Sequence, residues 1–246
     1  MIGSVRLTFF GSRGYVEESS PTHEGHSAFA VDAGGFRLLC DFGRNRRGLL
    51  GKIRPDAIVV SHAHPDHAWG LEEGTDVPVY ASKATHEILA GLPIRKRVVM
   101  PSGRRRRIGP FSATLFPVVH SVRCPCTAVR LEAGGKTLLY SGDVVSFPEP
   151  DRAFRRTDLY VGDGSTLTGS LVRRHESGIL IGHTTVRAQL GWLGRHGVPR
   201  AIFAHFGKGP IEMGDAALRA RIAALAGEKA PECEVSIATD GARFPL

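Results

Sequence analysis

Three histidines and an aspartate fall within six consecutive positions of the segment Ile58-Val59-Val60-Ser61-His62-Ala63-His64-Pro65-Asp66-His67-Ala68-Trp69-Gly70-Leu71. On an extended chain the alternate residues His62 and His64 project to the same side, and a turn at Pro65 brings Asp66 and His67 around behind them. Imidazole nitrogens and carboxylate oxygens together suit Zn²⁺ and neighbouring divalent cations, and this set supplies ligands for two adjacent metals. So many polar groups directly after an apolar strand are hard to satisfy without a metal, which argues against a chance group of exposed histidines. Two cations about 3.5–4 Å apart lower the pKa of a bridging water and stabilise the oxyanion formed on attack, so hydrolysis is the reaction to expect.

Ligands in this number need strand ends to hold them. Short apolar runs bounded by Gly, Pro or Asp read as strands at 5–11, 28–33, 36–42, 57–61, 77–81, 112–119, 127–132 and 137–141, with further strands at 159–162, 201–204 and 235–239. Helical periodicity covers 83–92, 184–196 and 215–226, with a shorter candidate at 166–175. In 184–196, Val186, Leu190 and Leu193 share one face, and Gly197 then Pro199 end the helix. The remaining candidate ligands stand where strands stop: His120 after 115–119, Asp143 in a Ser-Gly-Asp turn after 137–141, and His205 after 201–204. A strand-rich half followed by an alternating half indicates an α/β fold.

A chain of 246 residues holds one α/β domain, read here as spanning 1–246, or two small ones. With 42% hydrophobic and 23% charged residues, global disorder and coiled-coil architectures are excluded. No uncharged apolar run approaches the 18 or so residues of a membrane span, and Met1–Leu7 reads straight into a strand rather than a signal peptide, so a soluble cytoplasmic protein is expected. Four cysteines are too few for a disulfide scaffold. Cys40 and Cys233 read as buried apolar residues, whereas Cys124-Pro125-Cys126 follows His120 closely enough to raise a redox or second-metal role. A net charge of +8 favours phosphate-bearing partners, although 26 of the 32 basic residues are Arg, a skew that GC-rich coding also produces. The run Arg104–Arg107 after Gly103 reads as a turn between two strands, either solvated or in contact with nucleic acid.

The His-x-His-x-Asp-His loop from His62 to His67 resembles the hallmark of the metallo-β-lactamase superfamily, and the resemblance covers nearly the whole chain. It implies a four-layer αβ/βα sandwich with a dinuclear metal site at the shared edge of its two sheets. The same resemblance assigns His62, His64 and His120 to one metal, Asp66, His67 and His205 to the other, and Asp143 to the bridge between them. Asp41, ending the strand 36–40, matches the family's first acidic motif, which orients a metal-binding loop.

The segment Ile179-Leu180-Ile181-Gly182-His183-Thr184-Thr185-Val186-Arg187-Ala188, followed by Pro199 to Lys208, resembles the Gly-His-Ser/Thr-Thr helix start of ribonuclease Z and related phosphodiesterases. There the extra histidine approaches the scissile phosphate. On this reading His183, at a helix N-terminus beside Thr184 and Thr185, makes an anion site and a proton donor. Asp163, in Asp163-Gly164-Ser165-Thr166, pairs with it, and Lys208, in the Gly-Lys-Gly turn after His205, either reaches a substrate phosphate or is a solvated loop lysine. Asp66 and His183 are thus the catalytic candidates, Asp41 and Asp163 their supports, and Thr184 and Lys208 the substrate contacts.

Between Asp143 and His205 the chain is too short for the long basic arm of ribonuclease Z or for a β-CASP insert, and its C-terminal strand leaves no extended helical domain of the glyoxalase II kind. The compact form looks more like the small phosphodiesterase that opens cyclic ribose phosphates, whose additional metal-binding loop has only His23, His26 and the Cys124/Cys126 pair as weak counterparts. The expected protein is a dinuclear metal phosphodiesterase acting on a small or cyclic nucleotide-like diester or on an RNA end. Its two divalent ions are Zn²⁺ in the first instance, with Mn²⁺ or Fe as alternatives, and the resemblance allows a homodimer. Two other readings stand beside it: a lactone or thioester hydrolase, and a non-enzymatic basic nucleic-acid-binding module with a structural metal, against which the complete ligand set counts. His86, His175 and His196 lie on expected helices and read as surface or packing residues; Arg13 and Arg123 stay open between substrate contact and solvated loop.

Overall fold

The computed structural model describes residues 5–246, so the opening Met1–Ser4 lies outside the described residues. Two mixed seven-stranded sheets pack against each other. The first holds β1 (Arg6–Gly11), β2 (Ala28–Ala33), β3 (Phe36–Cys40), β4 (Ala57–Val59), β5 (Val79–Ala81) and β6 (Arg97–Val99) in chain order. The second holds β7 (Arg106–Ile108), β8 (Phe111–Val118), β9 (Cys126–Ala133), β10 (Lys136–Tyr140) and β11 (Leu159–Asp163). A separate hairpin of β12 (Arg173–Arg174) and β13 (Leu180–Ile181) follows, and the second sheet then resumes with β14 (Arg200–Ala204) and β15 (Glu234–Ile237). The last strand, β16 (Arg243–Pro245), returns to pair antiparallel with β1.

Each sheet changes character halfway across. Strands β1 to β3 pair antiparallel and β3 to β6 parallel. In the second sheet β7 to β10 pair antiparallel, and β10, β11, β14 and β15 run parallel. The inner core interleaves Leu7, Phe9, Val31 and Leu38 of one sheet with Leu115, Val129, Leu131, Leu138 and Val161 of the other. Helices α1 (Leu50–Ile53), α2 (Pro65–Ala68) and α3 (Lys83–Ile88) cover the outer face of the first sheet. Helices α4 (Pro150–Ala153), α5 (Val186–His196), α6 (Lys208–Met213) and α7 (Asp215–Lys229) cover that of the second. The result is an α/β sandwich of four layers. Among the described residues no helix is long and apolar enough to cross a membrane.

Local chemistry sets the ends of these elements. The Thr185 side chain accepts from the Ala188 amide to cap α5, whose buried Val186, Leu190 and Leu193 face the sheet, and Gly197 closes the helix in a left-handed conformation at φ 61°.

Several expectations change. The segment 166–175 is not a helix: Thr166 hydrogen-bonds the Gly169 carbonyl in a loop, and Arg173–Arg174 form β12, which places His175 in an exposed turn. Half of the arginine run is strand, because β7 begins at Arg106 and the turn lies at Ser102 and Gly103. The short tail after 235–239 is instead β16, an edge strand too short and charged to announce itself by alternation. His86 and His196 are packing residues: His86 Nε2 donates to the Val98 carbonyl, and His196 stacks on Phe154 at a centroid distance of 4.9 Å.

Candidate metal centre

Carboxyl ends of strands in both sheets converge on one edge. Asp41 follows β3, Ser61 and His62 follow β4, and His120, Asp143 and His205 follow β8, β10 and β14, while Asp163 closes β11. Loops at the ends of parallel strands are the usual place for a site in an open α/β sheet. The two sheets are tied together there. Ser61 O accepts from the Thr127 amide and hydroxyl at 3.0 and 2.9 Å, and Phe206 N donates to Ser12 O at 2.8 Å. Asp41 and His205 adopt φ of 56° and 58°, a left-handed conformation that costs a non-glycine residue about 1–3 kcal/mol and persists where the surroundings impose it.

His62, His64, His120 and Asp143 form one group whose donor atoms lie within 4.8 Å of one another, and Asp66, His67, Asp143 and His205 form a second, with Asp143 common to both. His64 Nδ1 lies 2.9 Å from His62 Nε2 and 3.2 Å from His120 Nε2. The outer ring nitrogens have partners that dictate the tautomer. His120 Nδ1 donates to the Gly182 carbonyl at 2.9 Å, and His62 Nδ1 donates to Ser61 Oγ at 3.0 Å, because that hydroxyl already gives its proton to Asp41 Oδ2. Both Nε2 atoms therefore aim lone pairs at the nitrogen of His64, and only one of them can accept a proton from it.

In the second group His67 Nδ1 donates to Asp41 Oδ2 at 2.7 Å, while His67 Nε2 and Asp143 Oδ1 stand 2.9 Å apart, both buried and both without a hydrogen-bond partner. His205 Nδ1 donates to Ser165 Oγ at 2.9 Å, and its Nε2 faces Asp66 Oδ2 at 2.9 Å and Asp143 Oδ1 at 3.3 Å. Converging lone pairs and carboxylates with outward-held N–H groups fit a pair of divalent cations.

Electrostatics separates the two groups. Burial pulls His62 down to about 3 and His64 to about 4, and lowers His120, so these rings are neutral donors. Burial opposes charge on His67 and His205 as well, but Asp143 with Asp66 raises His67, and Asp143 with Asp163 and Asp66 takes His205 to about 10. Burial alone would raise Asp66 and Asp143, yet the surrounding imidazoles hold both well below the usual carboxylate range.

A third arrangement sits at the rim. His183 Nδ1 lies 2.8 Å from Asp163 Oδ2, and Asp163 is otherwise engaged by the Ser165 amide and hydroxyl through Oδ1 at 2.9 and 2.6 Å. Burial works against a charged His183, but Asp163 and Asp143 outweigh it and raise the ring above its ordinary value. Gln189 locks the base of this arrangement, accepting from Asp163 N at 3.0 Å and donating to its carbonyl at 2.6 Å.

The cleft above these groups has a volume of about 620 Å³, and its walls include Tyr15, Val16, His64, Asp66, His120, Asp143, Leu171, His183, His205 and Lys208. Gly14 lets the β1–β2 loop close over His205, where a Cβ would sit 3.0 Å from its ring carbon. Gly182 holds φ 104°, open only to glycine, and so turns its carbonyl toward His120.

Not every expected residue reaches the cleft as read. The helix amides thought to form an anion site are already used, since Thr184 N donates to Val144 O, Val186 N to Thr166 O and Arg187 N to Leu167 O. His183 precedes α5 by three residues instead of capping it, and Thr184 is buried and does not line the cleft. Lys208 does line it, with its ammonium 2.7 Å from Glu18. Arg13 turns back onto the carbonyls of Val16, Glu17 and Glu18, and Arg123 is exposed. His23 bonds Ser12 Oγ at 2.7 Å and pairs with Asp215, and neither it nor His26 joins a cluster able to hold a metal among the described residues. Cys126 is buried with Sγ 3.5 Å from His62 Nδ1, and Cys40 and Cys233 are buried.

Sequence reading missed Tyr140, whose hydroxyl donates to Asp41 Oδ2 at 2.6 Å, together with Ser61, Ser165 and Gln189. Gln189 had a signal, as a polar residue on the buried face of α5. Tyr140 had none beyond its place at a strand end.

A family model described as "Beta-lactamase superfamily domain" matches residues 14–206. The chain is 32% identical over 164 residues to a "UPF0173 metal-dependent hydrolase" of Deinococcus radiodurans, an alignment covering 58% of this chain and 72% of that protein. Among solved structures, the metallo-beta-lactamase fold protein YhfI from Bacillus subtilis superposes with a TM-score of 0.76 at 20% identity, covering 99% of this chain and 100% of that one. A diphosphatase of the PhnP family superposes with a TM-score of 0.71 at 18% identity, covering 100% of this chain and 98% of that one. The chain belongs to the β-lactamase superfamily, and with its His/Asp metal-binding cluster it is a metal-dependent hydrolase of that superfamily.

Proposed function

We propose that the protein is a phosphodiesterase that holds two divalent cations, Zn²⁺ in the first instance with Mn²⁺ or Fe as alternatives, and cleaves a small or cyclic nucleotide-like diester or the end of an RNA. His62, His64 and His120 would hold one cation and Asp66, His67 and His205 the other, with Asp143, common to both groups, serving each. When bound, the cations supply an activated water and polarise the oxygens of the scissile group.

The observation that carries this reading is the His183–Asp163 pair at the cleft rim, at 2.8 Å. Asp163 fixes the Nδ1–H tautomer and favours the protonated ring, which leaves Nε2–H as the proton donor of a residue that lines the cleft. As the bond from phosphorus to the leaving oxygen breaks, that oxygen takes the Nε2 proton, and the proton of the entering water passes to solvent in the open cleft. A cationic acid beside the cleft suits an anionic diester whose leaving alkoxide needs protonation. The cleft has room for a nucleotide-sized group, and the exposed ring of Tyr15 with Leu171 offers an apolar wall for a base.

The test is hydrolysis of bis(p-nitrophenyl) phosphate by metal-reconstituted protein, beside a chromogenic lactone and a thioester, in wild type and His183→Ala. The proposal expects diesterase activity that falls about 10²–10⁴-fold in the variant with metal content unchanged. Preference for an acyl substrate with no dependence on His183 would move the assignment to carboxylic-ester chemistry.

A further inference from the structure

Arg105, from the run 104–107, and Arg155 and Arg156, some fifty positions later, line one groove at the end of the second sheet remote from the metal cluster. The chain at Gly103 runs against the Arg152 guanidinium, where a Cβ would stand 3.4 Å from Nη2. The groove, of about 850 Å³, is lined by the cations Arg105, Arg130, Lys136, Arg155 and Arg156 and by two carboxylates, Glu132 and Asp158.

Both carboxylates are already engaged. Glu132 binds Arg105 Nη2 at 2.9 Å and Arg130 Nε at 3.0 Å, and Asp158 receives the Thr137 amide at 2.8 Å and Lys136 at 3.4 Å. The guanidinium groups of Arg155 and Arg156, on exposed residues, stand outside these pairs. Thr157, also lining the groove, is buried and its hydroxyl has no hydrogen-bond partner. The groove shares no lining residue with the metal cleft.

We propose that this groove binds the sugar-phosphate backbone of a nucleic-acid strand. Its cations come from β9 (Arg130), the start of β10 (Lys136) and the segments that lead into β7 (Arg105) and β11 (Arg155 and Arg156), so they are drawn from across the sheet from β7 to β11. Four strand spacings of about 4.8 Å give a reach of about 19 Å, which matches successive phosphates of a polymer and exceeds a single phosphate or mononucleotide. Four of the five cations are arginines, whose planar fork binds phosphate oxygens in pairs. No aromatic side chain lines the groove, so it offers bases nothing to stack on and binding is independent of sequence. The site does not rest on the phosphodiesterase reading, because binding is read without turnover.

The experiment is fluorescence anisotropy of a labelled single-stranded uridine 20-mer with the full protein at 50 and 200 mM salt. With Arg105, Arg130 and Lys136 already paired, two phosphate contacts at Arg155 and Arg156 predict an affinity about 7-fold weaker at the higher salt. Arg155→Glu/Arg156→Glu should weaken binding at least about 10-fold at 50 mM and flatten the salt dependence, since each phosphate contact contributes about 0.7 to the logarithmic slope. Arg155→Lys/Arg156→Lys should retain binding, and the charge reversal should leave bis(p-nitrophenyl) phosphate turnover unchanged. The proposal is overturned if the charge reversal binds like wild type, if Arg173→Glu/Arg174→Glu on the β12–β13 hairpin abolishes binding instead, or if uridine monophosphate competes as well as the 20-mer.

Discussion

The metal-facing end of the second sheet and its arginine-lined end hold dense charge in opposite ways. At the first, histidines and aspartates are buried, the outward ring N–H groups of His62, His67, His120 and His205 are each held by a named acceptor, and the inward atoms converge on shared points. At the second, five cations face two carboxylates in an open groove on mostly exposed side chains. Buried charge defines geometry, since removing one partner strands the other at a cost of about 3–5 kcal/mol. Exposed charge defines little geometry, adds contact by contact, and is weakened by salt. One end is built to hold reacting atoms and the other to hold a long anion loosely.

The contrast breaks most sharply at Asp143, which serves both metal groups. Asp143→Ala is expected to reduce diesterase turnover by more than about 10³-fold and to lower metal content per chain together, read by elemental analysis beside activity. Full activity with an intact fold would refute the assignment. His183→Ala comes next, with the loss of about 10²–10⁴-fold stated above but no loss of metal, which separates proton donation from cation binding.

Asp41→Asn tests how far the buried end depends on support behind its ligands. Asp41 holds Ser61, His67 and Tyr140 at once, so metal affinity in a competitive chelator titration should fall about 10–100-fold. Tyr140→Phe removes only one of those donors and is expected to cost less than Asp41→Asn in the same titration. The smallest effect lies at the open end: between 50 and 200 mM salt, turnover of a small diester should change by less than about twofold in Arg155→Glu/Arg156→Glu and wild type alike. A steep salt dependence of that turnover would mean the two ends are electrostatically continuous.

Some of this was legible in residue order because it is local. Alternation and length located β2 to the residue and placed β8, β9, β10 and α5 to within one or two positions. The His62–His67 loop pointed to a metal site because its four donors fall within six positions. Other features lacked a local pattern: β12, β13 and β16 are two or three residues long, and the 166–175 segment had enough apolar residues to mimic a helix while Gly169 and Ser170 made it a loop. The anion site expected before α5 failed for a similar reason, since nothing in Gly-His-Thr-Thr reveals that the carbonyls of Val144, Thr166 and Leu167 take the amides.

The sequence by itself determined the donor types, the strand ends that carry them and the superfamily resemblance, because each depends on neighbours a few residues apart. Only the tertiary structure decided which ring nitrogens face inward, that Tyr140, Ser165 and Gln189 hold the acids in place, and that Arg105 shares one groove with Arg155 and Arg156. Those properties depend on distances between residues tens to a hundred positions apart. Such distances are set by sheet register and packing, which no short stretch of sequence encodes.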